Sequence, residues 1–109
     1  MITPELFDTV ELLVEIPEQH VQAGMLGAIV DQYDDEHFEV EFANDAGKTE
    51  QLCVLSSDQF IVVWQNATKA PVTTADLITQ LTLRLDEAKQ QEVAQYARTL
   101  HAHHSLHFS

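Results

Sequence analysis

Basic residues are nearly missing from this chain: five Lys and Arg stand against 18 Asp and Glu in 109 residues, for a net charge of −13. Nucleic-acid binding depends on Lys and Arg neutralising phosphates, and so acidic a protein repels the polyanion. Cysteine is reduced to Cys53 alone, which excludes an intramolecular disulfide. It lies in the apolar run "LCVL", where a small buried hydrophobe is expected rather than a reactive thiol. Long apolar runs are missing too. Nothing approaches the roughly 20 residues that cross a bilayer, and the start "MITPELFDTVELL" carries acids where a secretory signal needs an early positive charge. A soluble, cytoplasmic protein is expected, in which the pattern Asn66-Ala67-Thr68 carries no glycan.

Catalytic signatures are also lacking. There is no G-x-S-x-G and no P-loop. His20 and His37 are isolated, Cys53 has no readable histidine partner, and Asp34 and Asp35 are explained by a turn. Paired carboxylates do acid and base work only in unequal environments within a cleft, and a domain of this size offers little cleft. No enzyme and no cofactor are expected.

What is present is unevenly distributed. Residues 1–65 hold 14 acids against Lys48 alone, whereas residues 66–109 balance four acids with four basic residues. Such asymmetry marks a boundary, and the polar "QNATKAPVTT" ending at Thr74 reads as a linker. The expected organisation is an acidic domain over 1–65, a linker over 66–74, a helical segment over 75–104 and a tail over 105–109.

The first half alternates with period two, the mark of strands with one buried face. In "DTVELLVEIP", Val10, Leu12, Val14 and Ile16 share one side and Thr9, Glu11 and Glu15 the other. "MLGAIVDQY" and "HFEVEF" follow, the latter alternating Phe38, Val40 and Phe42 with His37, Glu39 and Glu41. "NDAG" suits a tight hairpin, "KTEQLCVL" pairs back, "SSDQ" reads as a turn of 3₁₀ type and "FIVVW" as a fifth strand. Gly24 and Gly27 suit a sharp bend or a close approach of strands. Five short hairpin-linked strands after one longer early loop predict an α+β protein built on a small five-stranded antiparallel SH3-like β-barrel.

Several blocks carry a resemblance: Leu6-Phe7-Asp8-Thr9-Val10, Leu12-Leu13, Pro17-Glu18, the run from Gly24 to Val30, Phe38 to Phe42, Gly47 and Leu55. Over residues 6–64 the chain resembles a bacterial family catalogued as a domain of unknown function, number forty-nine twenty-six. The resemblance implies a small SH3-like barrel, standing alone or beside genes of toxin–antitoxin or immunity type, with no catalytic residues assigned.

The second half changes period. Thr73 or Thr74 is a good N-cap, Asp76 suits the positive helix end, and Leu77, Ile78, Leu81 and Leu85 recur at helical spacing. Val93, Tyr96, Ala97 and Leu100 form a second stripe. Periodicity alone fits one long helix or two, and Asp86 as a second cap favours two. Residues 77–100 also resemble a short helical family linked to antitoxins, through Leu85, Gln90 to Val93, Tyr96 and Leu100, with Asp86 where that family has proline. An apolar stripe cannot bury itself alone; it must pack on the barrel, on a second copy or on another protein. Self-association to a homodimer is the leading expectation, with Leu77, Leu81, Val93, Tyr96 and Leu100 as the interface.

In the tail, the pairs His103/His107 and His101/His104 have chelating spacing on a helix. With no carboxylate or cysteine beside them, adventitious metal binding is expected rather than a designed site, and a charge that follows pH is as good a reading. The functional expectation is a non-enzymatic protein-interaction module of antitoxin or immunity type. Asp34, Asp35, Glu36, Glu39 and Glu41 dock a basic partner protein, and the helices mediate association. The alternative is a scaffold subunit of a larger complex whose acids only keep it in solution.

Overall fold

The computed structural model describes residues 2–43 and 48–107, of which 49–50 and 104–107 by backbone only. The "NDAG" turn at 44–47 and the side chains of His104 and His107 lie outside the described residues. The fold is α+β: a six-stranded antiparallel sheet followed by two helices. The strands are β1 (Thr9–Leu12), β2 (Leu26–Gln32), β3 (His37–Ala43), β4 (Thr49–Ser56), β5 (Phe60–Gln65) and β6 (Ala70–Pro71). The helices are α1 (Thr74–Leu83) and α2 (Glu87–His107).

The sheet order is β4-β3-β2-β1-β5-β6. Six strands replace the five expected, and the sheet is not closed, since β4 and β6 are its two ends. The alternation nevertheless holds for Val10, Leu12, Phe38, Val40 and Phe42, and Cys53 is buried as expected. Val10, Leu12, Ile29, Phe38, Val40, Phe42, Cys53, Leu55, Phe60 and Val62 are all buried in one cluster. Phe38 and Phe60 meet edge to face with ring centroids 5.6 Å apart, a favoured aromatic geometry. That contact joins β3 to β5, which are not neighbours in the sheet, so the sheet curls around its own core.

Two departures have simple causes. The first strand stops at Leu12, leaving Val14 exposed, because both neighbours run out there: Leu26 opposite Glu11 begins β2 and Phe60 opposite Leu12 begins β5. Beyond it Ile16 bridges to Val21 across a 3₁₀ turn at Pro17–Gln19. The second departure is in the segment read as a linker. Ala70–Pro71 pairs with β5, and Val72 is buried in the core. Proline is tolerated there because the edge strand asks for no further ladder bond.

The glycines divide the two roles foreseen for them. Gly24 has φ +94 with nothing near its missing Cβ, a turn that needs the left-handed backbone. Gly27 is the close approach: a Cβ there would lie 2.7 Å from Val40 Cγ1 and 2.9 Å from the Glu41 carbonyl oxygen.

The helices behave differently from one another. Thr73 caps α1 by accepting from the Asp76 amide, and Asp86 caps α2 by accepting from the Lys89 amide, so the chain breaks into two helices. α1 lies on the sheet, with Leu77 packed against the core and Gln80 buried. Arg84 fastens its end, donating to the Gln80 carbonyl and to the Ser57 carbonyl of the 3₁₀ turn Ser57–Gln59, each at 2.7 Å. α2 leaves the body. Every residue from 91 to 103 is exposed, and the described chain measures 53 × 30 × 28 Å.

Candidate partner-binding surface

The strand register sets the outer face of the sheet. On β3, Glu39 and Glu41 alternate with the buried Phe38, Val40 and Phe42 and are half-buried themselves. In β4 they face Val54 and Leu52, which are 53% and 52% exposed. In β2 they face Asp31 and Ala28. Leu26, also exposed, continues the face toward β1, and a shallow depression there is lined by Thr9, Leu26, Gly27, Ala28, Glu41 and Ala43. The face therefore interleaves large aliphatic side chains with carboxylates. Sequence periodicity placed the acids outward. It did not reveal Leu52 and Val54, because "TEQLCVLS" holds apolar residues at both alternating sets and gives no sign of which one faces water.

The three acids of the β2–β3 turn do a different job. Asp34 Oδ1 accepts from the backbone N–H groups of Glu36 and His37, both at 2.8 Å, and lies 2.9 Å from His37 Nδ1. The Glu36 amide first, and the His37 ring next, hold the Asp34 carboxyl below the usual aspartate range. Asp34 is thus committed to closing its own turn. Asp35 and Glu36 are exposed beside it. Tyr33 links turn to face by donating to Glu39 Oε1 at 3.0 Å, and this bond pushes its phenol pKa up. Glu39 and Glu41 accordingly form one patch and Asp35 another: Asp35 lines a groove of about 270 Å³ with residues 2–4, Ser57, Asp76, Gln80 and Arg84.

The helical residues also separate. Leu77 is spent on the core, whereas Leu81, Val93, Tyr96 and Leu100 are 40%, 37%, 66% and 52% exposed. Among the described residues no three His, Cys, Asp or Glu side chains group as a metal site. Cys53 is buried, and burial raises its thiol pKa. No described helix is long and apolar enough to cross a membrane.

Sequence reading missed two residues that organise the fold. Asp8 is buried, its Oδ2 accepting from the Glu5 amide at 3.0 Å and its Oδ1 from the Asn66 amide at 2.8 Å. It ties the N-terminal turn to the turn after β5. Gln80 is buried on α1 and binds the backbone of β5. A polar residue inside an apolar stripe is the available signal for Gln80; nothing local marks Asp8.

No curated protein and no solved structure matches the chain. The family is clear from the sequence blocks that build β1 to β5: residues 6–62, more than half of the chain, match the model of DUF4926, a domain of unknown function, and the chain belongs to that family.

Proposed function

We propose that the protein is a non-enzymatic protein-interaction module of antitoxin or immunity type, whose outer sheet face docks a basic partner while the C-terminal helix supplies a second association element. The observation that carries this reading is the pairing of Glu39 and Glu41 with exposed Val54 and Leu52. Apolar side chains supply the area of a protein interface, and carboxylates around them select a partner of opposite charge and speed its approach. An acidic half carrying Lys48 alone against 14 acids steers such a partner from a distance. The four-strand meander, the 3₁₀ turn after β4 and the return of β5 to β1 support reading the domain as an SH3-like barrel.

The test is capture from the protein's own cells by the full chain, by E39Q/E41Q and by L52S/V54S, followed by affinity measurements with the identified partner at low and high salt. A basic partner whose affinity falls roughly tenfold or more with salt, and falls again in both variants, is the expected result. Affinity that ignores salt and both variants refutes the docking face. The alternative, a scaffold subunit with solubilising acids, takes its support from Asp34, whose carboxylate is already engaged within its own turn.

A further inference from the structure

Resting on the reading that α2 is an association element, we infer that α2 pairs with α2 of a second copy, and that the two helices run antiparallel with their acidic bodies at opposite ends.

The choice of a second copy follows from how charge is divided. Residues 1–65 carry −13, whereas residues 66–109, which include both helices, are neutral. The acidic body repels its own copies, and the neutral arm is the part of the chain where two copies approach without that cost. The arm also has surface to bury. Val93, Tyr96 and Leu100 are exposed at i, i+3 and i+7, one stripe of the helix. In proteins most helical stability comes from packing of an apolar face, so the formation of α2 and its pairing are linked.

Orientation follows from electrostatics and size. α2 is about 31 Å long at 1.5 Å per residue, and each body sits at its N-terminal end. Paired helices lie about 8–10 Å apart. A parallel pair would bring two −13 bodies side by side, within about one Debye length at physiological salt, and would crowd bodies roughly three times wider than the helix spacing. An antiparallel pair sets the helix starts about 30 Å apart, several Debye lengths. Side-chain matching fixes the register. With the two-fold axis between Tyr96 and Ala97, Val93 of one copy meets Leu100 of the other, Tyr96 meets the small Ala97, and Glu92 lies beside His101.

The experiment uses the full chain. Light scattering gives the mass, and a nitroxide attached through A88C, with Cys53 buried and so protected, gives the inter-copy distance by electron spin resonance. Expected are a mass of two chains, a label separation of about 25 Å, and a dissociation constant that moves less than about threefold between low and high salt. V93S/L100S should be monomeric. A dimer with labels about 10 Å apart, tightening with salt, overturns the antiparallel arrangement and leaves helix association standing. A monomeric wild-type chain, or a dimer that survives V93S/L100S, overturns both.

Discussion

Gln80 and the backbone of Val62 are joined at both ends: the Val62 amide donates to Gln80 Oε1 and Gln80 Nε2 donates to the Val62 carbonyl, each at 2.8 Å. The side-chain amide takes the place of one residue of a neighbouring strand. It continues the short edge of β6 and fixes α1 across β5. Replacing it with Ala leaves both Val62 groups buried and unpaired, at about 1–3 kcal/mol each before relaxation. Urea unfolding of Gln80→Ala should lose about 2–3 kcal/mol with an unchanged m-value; a loss under 0.5 kcal/mol would show the pairing to be energetically idle.

Gly27→Ala and Gly24→Ala separate two kinds of glycine. At Gly27 the new methyl collides with Val40 and with the Glu41 backbone, and overpacking of this sort costs about 1–3 kcal/mol. At Gly24 the space is open and only the positive φ opposes alanine, for about 1 kcal/mol. Thermal denaturation should therefore rank Gly27→Ala well below Gly24→Ala, and the reverse order would refute the close approach.

Asp34 titrates below an ordinary aspartate because the Glu36 amide and the His37 ring favour its charged form. Its folded pKa lies under its unfolded one, so its contribution to stability is present above the unfolded pKa and is lost as pH falls through the folded value. Carbon-detected NMR titration should place Asp34 below the ordinary aspartate range. Asp34→Ala should lose the protection of the Glu36 and His37 amides from hydrogen exchange while leaving the core amides unchanged.

Cys53 faces Val40 in the core and its thiol pKa is raised by burial. Thiolate is the reactive form, so the native protein should resist iodoacetamide at neutral pH for hours and react fully once unfolded in guanidinium. Rapid native labelling would mean that β4 opens locally.

How much of this was legible depended on whether a residue's neighbours are near it in sequence. Phe38, Val40 and Phe42 announce their face within six residues, and Thr73 and Asp86 announce helix starts within three. The end of β1 at Leu12 was hidden, because it is set by where β2 and β5 begin. β6 was hidden inside a polar stretch, since two residues carry no period. Asp8 and Asn66 are 58 positions apart, and Gln80 and Val62 18; such pairings exist only once the sheet has formed. The sequence placed Asp34 in a turn and Glu39 and Glu41 on a strand's outer side, but counted all of them as contacts for a partner; only the hydrogen bonds show that the Asp34 carboxylate is spent on its own turn.

The two ends of the sheet are guarded unequally. β6 is two residues long, ends in proline and is continued by Gln80, whereas β4 is eight residues long and carries Leu52 and Val54 outward. An edge of that kind is a template for strand addition by like chains, and the mutual charge of the copies opposes it. That guard is only as good as the pH. Near the sequence isoelectric point of about 4.5 the repulsion vanishes while the edge remains, so colloidal stability should fall as the pH drops from neutral toward that point.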